Sequence, residues 1–204
     1  MKNKASLFSV LSFIVIFLTA CSGNITVKPD YQPQPKIDTP LATVPASKIK
    51  LLNFEDKREP RTVAIMIGRR TAALGMSLGD IFSARPIFDI IRDAVKTELI
   101  RSGYGIVTDN EDFSMKGQIL KFWVATDVTA LYWDVIGEIS IVVEVKRPTV
   151  GTPVLLGPYS GNNVERTYIN PSGEIVTRVL DKSLEGVMSS MNSDPELVKV
   201  LSTR

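Results

Sequence analysis

A serine inside a glycine-flanked pentapeptide is the first residue whose type and spacing could support chemistry. Gly75-Met76-Ser77-Leu78-Gly79 matches the G-x-S-x-G pattern with which serine hydrolases present their nucleophile. That chemistry needs a strand before the serine, a helix after it, and a base, usually histidine, to accept its proton. The sequence contains no histidine, and no lysine lies near Ser77 along the chain. We therefore interpret the motif as a flexible glycine loop.

Four acidic residues near the middle of the chain could also be read as paired catalytic carboxylates. They lie on or beside the polar face of two predicted strands: Asp127, Asp134, Glu138 and Glu144. A solvated sheet face explains their alternation with apolar residues without a catalytic role. Their spacing fits no calcium-binding loop, so we predict that they are surface residues.

The absence of histidine and the single cysteine exclude several kinds of active site. Zinc and copper sites built from Cys and His cannot form. Ser-His-Asp and Cys-His catalytic sets are excluded as well. A disulfide within the chain is excluded because Cys21 has no second cysteine to pair with. The sequence therefore predicts a non-enzymatic protein with no catalytic residue, no metal site and no cofactor.

The beginning of the chain resembles the signal peptide and lipobox of bacterial lipoproteins. Two lysines precede an uncharged apolar stretch at residues 7–18, which is too short to span a bilayer and has the length of a signal-peptide core. It ends in Leu18-Thr19-Ala20-Cys21. The resemblance implies that residues 1–20 are the signal peptide. It also implies that Cys21 carries a diacylglyceryl group and is the membrane anchor.

The residue after the cysteine bears on which membrane holds the anchor. In lipoproteins of enteric-type bacteria, Asp at that position favours retention in the inner membrane, and this chain has Ser22. By that resemblance we predict anchoring to the periplasmic face of the outer membrane, with the inner membrane as the alternative. Two or three palmitate-type chains would make the anchor durable, since a single chain binds only marginally.

The chain after the signal divides into a proline-rich segment and a domain-sized segment. Residues 21–47 contain five prolines among polar residues, which favours extended backbone. We predict that they form the lipidated cysteine and a tether reaching about 85–95 Å. Residues 48–204 suffice for one periplasmic domain with a core. Residues 1–20 hold two of the 24 basic and none of the 22 acidic residues, leaving 22 of each, so no nucleic-acid binding is predicted.

Apolar periodicity in residues 48–204 predicts the elements of a single α+β domain. Strands are expected at 48–54, 62–67 and 104–108, with a loop at 68–80 and a helix at 86–101 ending before Gly103. Two long strands follow at about 118–128 and 135–146. A further strand or pair spans 154–169, broken near Gly157 and Gly161, before helices at about 171–191 and 195–201. The economical packing is a two-layer sandwich, in which two helices cover one face of a mainly antiparallel sheet.

Aromatic residues gather at the predicted connection between the two long strands. Leu131, Tyr132 and Trp133 lie at this connection, and Trp123 lies nearby on the first strand. They could form a contact patch for a partner or a membrane surface. The simpler interpretation is that they fold back over the sheet edge as local packing.

The order of these elements resembles that of YajG-type uncharacterised lipoproteins of Gram-negative bacteria. The resemblance covers most of residues 48–204 and rests on the lipobox, the paired long strands, the helix at 86–101 and three short segments: Ala73-Leu74-Gly75-Met76, Ser102-Gly103-Tyr104 and Met191-Asn192-Ser193-Asp194. It implies no catalytic residue and gives a role to Cys21 alone. The arrangement is also similar to that of auxiliary lipoproteins of lipid-transporting ABC systems and of the lipoprotein partner in lipopolysaccharide assembly.

The anchor, the tether and the missing catalytic residue types together predict a lipid-anchored, non-enzymatic interaction module. It would act in cell-envelope maintenance by binding an envelope protein partner, while the lipid on Cys21 binds the membrane. One alternative is an accessory lipoprotein subunit of an envelope lipid or ABC transport system. A third hypothesis, an enzyme using Ser77 or the central acids, is the weakest because the chain has no histidine.

Overall fold

The computed structural model describes residues 23–33, 39–149 and 151–203. Within these ranges the chain forms eight strands and three helices. In chain order they are β1 (Ile25–Val27), β2 (Lys48–Asp56), β3 (Met66–Thr71), β4 (Ser77–Ser83), α1 (Ile87–Arg101), β5 (Gly105–Ile106), β6 (Phe113–Val128), β7 (Trp133–Lys146), β8 (Val154–Thr167), α2 (Gly173–Asn192) and α3 (Pro195–Ser202). Single 3₁₀ turns lie at Pro40–Thr43 and Ala73–Gly75.

Strand β6 is the centre of one mixed sheet. It pairs antiparallel with β7 from Ser114 opposite Lys146 to Val128 opposite Trp133, and β7 pairs antiparallel with β8. Its other edge is shared by two shorter strands that both run parallel to it, β2 along its first half and β3 along its second. β4 and then β1 extend the sheet beyond β3, and β5 extends it beyond β2.

Alternation along the long strands separates a helix-covered face from an open face. On β7, every second residue from Val135 to Val145 is buried, and the intervening residues are partly exposed. The buried side packs against the apolar stripes of α1 and α2, where residues such as Ile91, Leu99 and Leu180 have no exposed surface. The predicted α+β class, with helices on one side of the sheet, is confirmed. The longest pairings are antiparallel, as expected, although the shorter ones at the second edge are parallel.

Residues 68–80, predicted to be a loop, instead form most of a hairpin. β3 and β4 pair antiparallel, with Arg69 opposite Asp80. The glycines at 68 and 79 suggested a loop. In the structure, the backbone of Val124 lies too close to Gly68 for a Cβ atom, and the backbone of Gly23 lies too close to Gly79. These glycines therefore permit close packing of strands. Only the tip at 72–76 connects the two strands.

The predicted tether is also corrected by the structure wherever it is described. Residues 25–27 form β1 beside β4, and four apolar side chains of the segment are buried in the core: Val27, Tyr31, Leu41 and Val44. These side chains are widely spaced among prolines and polar residues, so the composition of the segment does not indicate that it packs against the domain. The folded domain therefore includes described residues that lie well before residue 48. Residues 21, 22 and 34–38 of the predicted tether lie outside the described ranges.

Strand β8 passes without a break through Gly161, where a break was predicted. A Cβ atom at Gly161 would collide with the α2 backbone at Ser183 and Val187, and one at Gly186 would lie 2.9 Å from the Cα atom of Gly161. The two glycines thus let the strand and the helix touch backbone to backbone. Near Gly157, where a break was also predicted, the strand continues with a register shift opposite Ile141 and Val143 of the partner strand.

Candidate functional site

The chain is fixed to the domain almost immediately after the predicted lipidation site. The Gly23 N–H donates to the carbonyl of Leu78 (3.0 Å), and the Arg70 guanidinium donates to the carbonyl of Gly23. The Asp80 N–H in turn donates to the Asn24 side-chain oxygen (2.9 Å). Cys21 lies outside the described residues, so its lipidation stays a prediction. If it is lipidated, the anchor lies two residues from a backbone held on the edge of β4.

A buried carboxylate holds the continuation of this segment against both long helices. Glu98 on α1 has no exposed surface. Its carboxylate accepts hydrogen bonds from the Tyr31 hydroxyl (2.5 Å), the Asn192 amide (2.5 Å) and Arg101 Nε (3.0 Å). Burial, followed by the hydrogen bond to Glu98, raises the pKa of the Tyr31 hydroxyl above its ordinary value, which keeps this group a donor. A charge this deep is tolerated only when it is well paired, so we interpret the cluster as structural.

A cleft of about 550 Å³ lies beside this cluster, between the N-terminal segment and α2. Its lining includes Arg101, Lys182, Glu185 and Ser189. These side chains could hydrogen-bond a polar group of a ligand. Nucleophilic catalysis would need a base within hydrogen-bond reach of a nucleophile, and no hydrogen bond joins Ser189 to Lys182 or Glu185.

The aromatic residues predicted to form one contact patch are divided between two surfaces. Trp133 lies opposite Val128 and Thr167 and shares its side of β7 with buried Val135, so it belongs to the helix-covered face. Trp123 lies opposite Glu138 on the open face, five residues before Val128 along β6, or about 17 Å away. The structure does not bring the two tryptophans together.

The turn between β6 and β7 contains one packed residue and one exposed residue. Tyr132 lies under Arg166, whose guanidinium carbon is 3.6 Å from the ring centroid and which also donates two hydrogen bonds of 2.8 Å to Asp134. Such a cation–π contact is local packing, the simpler of the two interpretations. Leu131 beside it is 79% exposed. Of the predicted patch, Leu131 is therefore the side chain most available for contact.

Comparison with protein families identifies the chain at the level of its family. The model of a family described as uncharacterized lipoproteins matches residues 35–202. The chain belongs to this lipoprotein family. No curated protein matches the sequence.

Solved structures similar to this lipoprotein include a DUF330 protein from Xanthomonas campestris. It has a TM-score of 0.52 and 10% identity, covering 83% of this chain and 92% of that one. A minor lipoprotein from Acinetobacter baumannii gives 0.38 at 9% identity, covering 78% and 92%. Lipoprotein GNA1162 from Neisseria meningitidis gives 0.34 at 10% identity, covering 66% and 96%. The first likeness supports the fold, and none of the three transfers a residue's role.

The described part of the lipoprotein contains no helix long and apolar enough to cross a membrane. Within the same ranges, no three acidic or cysteine side chains are grouped so that they could hold a metal ion.

The central acids of the lipoprotein lie on the open face, and three of them form cross-strand ion pairs. Glu138 contacts Lys121 at 2.6 Å and Glu144 contacts Lys116 at 3.1 Å, while Asp134 pairs with Arg166 as described above. Asp127 is exposed. Facing opposite charges stabilise neighbouring strands modestly, so these residues have a surface role, as their alternation predicted.

Ser77 does not lie in the setting that a hydrolase nucleophile requires. It follows the tip of the β3–β4 hairpin and begins a strand, whereas the nucleophile elbow follows a strand and begins a helix. Its hydroxyl oxygen accepts a long hydrogen bond from the Gly79 N–H (3.3 Å). The motif in this lipoprotein therefore spans the end of the turn and the first residues of β4.

A second buried charge, Arg58, has no recognisable signal in the sequence. Its guanidinium donates two hydrogen bonds of 2.9 Å to Asp56 and one of 2.7 Å to the carbonyl of Met66. Burial alone would raise the pKa of Asp56, but the hydrogen bonds and charge of Arg58 outweigh burial and lower it. The pair joins the end of β2 to the start of β3, in the segment between two predicted strands.

Proposed function

We propose that this lipoprotein is a non-enzymatic interaction module, anchored by lipid on Cys21 to the periplasmic face of the outer membrane. The observation that carries the proposal is the sequence Leu18-Thr19-Ala20-Cys21 in a chain of a lipoprotein family, two residues before a backbone that is fixed to the domain. Ser22 supports the outer over the inner membrane. The role would be cell-envelope maintenance through a protein partner, and a YajG-type lipoprotein is the finer assignment.

The chemistry of the described residues supports binding over catalysis. The central acids take part in ion pairs or face solvent, and Ser77 begins a strand without a histidine anywhere in the chain to activate it. The two deeply placed charged clusters, at Glu98 and Arg58, join elements of the fold. What remains for function is surface contact, and the lipid would hold that surface at the membrane.

Replacing the predicted acceptor of the lipid tests the anchor. We expect Cys21→Ser to abolish incorporation of a clickable palmitate analogue and to leave an unprocessed precursor, because a hydroxyl cannot form the thioether. The control is Ser77→Ala in the same expression host, which should be acylated, processed and recovered with outer membranes like the wild type. A normally processed, membrane-bound Cys21→Ser protein would contradict the proposal.

The partner is sought by in vivo photocrosslinking from surface positions of the lipidated chain. Capture of the same envelope protein from neighbouring positions would support the interaction module. Capture of permease subunits would favour the alternative of a transporter accessory subunit. If Ser77→Ala fails to complement a deletion strain although the protein is made and localised normally, the non-enzymatic assignment is wrong.

A further inference from the structure

We propose that one end of the sheet docks directly on the membrane surface, so that the domain rests on the lipid bilayer that holds its anchor. This inference depends on the proposed lipid anchor at Cys21. The docking surface, here called the apolar rim, consists of five strongly exposed side chains at the end of the sheet where the described chain begins: Leu74, Met76, Leu131, Tyr168 and Ile169, which are 98, 61, 79, 77 and 69% exposed.

The sheet topology brings three separate segments to this end. β3 and β6 run parallel, with Gly68 beside Val124, so the turns that follow them emerge at the same end of the sheet. The Thr71 N–H also bonds the Thr126 side chain at 2.9 Å, which places the hairpin tip level with the β6–β7 turn. β8 ends here too, because Thr167 lies opposite Trp133. The rim therefore unites residues from three parts of the chain.

The start of the described chain lies at the same end. The Gly23 N–H bonds the Leu78 carbonyl, and Leu78 is only two residues beyond rim residue Met76. Two extended residues span about 7 Å at most. A lipid on Cys21 would therefore enter the bilayer within about 10 Å of the hairpin tip. No long segment between the lipid and Gly23 would then separate this end of the domain from the lipid headgroups.

The tip of the β3–β4 hairpin is unusual for a turn exposed only to water. Leu74 has a φ of 62° and is followed by Gly75 at 73°. The left-handed region is costly for a leucine, and turns facing water normally place glycine, asparagine or aspartate there. An apolar side chain presented on such a turn is explained if it enters the acyl boundary of a membrane.

Charged and aromatic neighbours of the rim suit a membrane interface. Arg166 is paired with Asp134, and Arg69 with Asp80 at 2.8 Å, so these charges can approach the headgroups already neutralised. Tyr132 and Trp133 lie just behind Leu131 and are half-buried. Rings with an apolar body and a polar edge favour the headgroup level. Isolated exposed apolar residues are ordinary, but five at one end beside a lipid site form a surface.

The single cysteine makes the proposal directly testable. Lipidation uses the Cys21 thiol, so a cysteine introduced elsewhere would be the one free thiol of the mature chain. The full lipidated protein would be prepared with Leu131→Cys or Leu74→Cys and labelled with an environment-sensitive nitrobenzoxadiazole dye. The control, Leu155→Cys, replaces a side chain that is 64% exposed near the opposite end of β8. Lipidated wild type should take up no dye.

The labelled proteins would be bound to vesicles of phosphatidylethanolamine and phosphatidylglycerol containing a spin-labelled lipid quencher. We expect blue-shifted emission and at least about twofold stronger quenching at positions 131 and 74 than at position 155, because only the rim would enter the acyl boundary. Adding Leu74→Asp and Leu131→Asp to an Ile169→Cys protein should abolish quenching at position 169. The protein should still float with the vesicles, because its lipid is unchanged. Equal thermal unfolding would show that these variants are folded.

Flotation separates failure of the docking from failure of the anchor. If lipidated wild type does not float with vesicles, the lipid anchor is wrong and the docking falls with it. If it floats but the dye at positions 131 and 74 emits like a water-exposed dye, as at position 155, the lipid anchor is supported and the docking is wrong. A dye that is in water on vesicles but shielded in intact cells would mean that a protein covers the rim, which also overturns membrane docking.

Discussion

The two faces of the central sheet are built from the same strands but differ in what they can accommodate. On the helix-covered face, Gly137 and Gly161 lie so close to α2 that a Cβ atom at either would meet the helix within 3 Å. On the open face, Lys121 and Glu138 pair across β6 and β7 while remaining 49 and 35% exposed. The covered face therefore determines the fold, and the open face can change its residues with little effect on stability.

Adding a side chain at Gly161 should produce the largest loss of stability. The Cβ atom of Gly161→Val would overlap the α2 backbone at Ser183 and lie 2.6 Å from the Val187 nitrogen. Because backbone cannot rotate away as a side chain can, we expect a loss of about 3 kcal/mol or more in the free energy of unfolding. Urea unfolding followed by tryptophan fluorescence would measure it.

The matched control for this change is Gly151→Val, where nothing lies within 4 Å of the added atom. Its stability should stay within about 0.5 kcal/mol of the wild type. Equal stability of the two variants would show that β8 and α2 are not in backbone contact, which would remove the contrast between the faces.

Removing the buried carboxylate of Glu98 should have the next largest effect. Glu98→Ala leaves the Tyr31 hydroxyl and the Asn192 amide without their shared acceptor inside the helix layer. A buried donor left without its partner costs about 1–3 kcal/mol, so we expect a loss of about 2–3 kcal/mol. We also expect faster proteolysis of residues 23–47, because the Tyr31 hydrogen bond holds that segment to α1.

An exposed acid on the same helix provides the comparison for Glu98. Asp93 pairs with Arg85 while 45% exposed, and Asp93→Ala should change stability by less than about 1 kcal/mol. If Glu98→Ala were as mild as Asp93→Ala, the buried cluster would not be what fixes the N-terminal segment.

The sequence predicted best those elements whose apolar residues repeat with one period over many residues. The stripe of α1 and the alternation along β7 are of this kind, and both elements were placed within a few residues. β1 was missed because three residues are too few to show alternation, and its partner β4 lies more than 50 residues away. The glycines at 161 and 186 look like weak points locally, since only the packed structure places them against each other.

The functional residues show the same difference between features that a local pattern indicates and features that depend on long-range pairing. The proposal of Cys21 as the lipid acceptor rests on sequence alone, because a lipobox is a local pattern. The separation of Trp123 from Trp133 could be predicted by extending the alternation of each strand to the turn, because Trp123 shares a face with exposed Lys121 and Trp133 shares a face with buried Val135. The apolar rim was hidden because its members become neighbours only through the parallel pairing of β3 with β6.

The smallest effect should come from the open face, where the ion pair of Lys121 and Glu138 can be dissected with a double-mutant cycle. The contact is short, at 2.6 Å, but both side chains are over a third exposed, so solvent screens the attraction. We expect a coupling free energy of about 0.2–0.5 kcal/mol between Lys121→Ala and Glu138→Ala. It should shrink further in 1 M salt, where the Debye length falls to about 3 Å. A coupling above about 1.5 kcal/mol that persists in salt would mean that the open face is covered in solution. The two faces would then both be buried, and the contrast between them would be wrong.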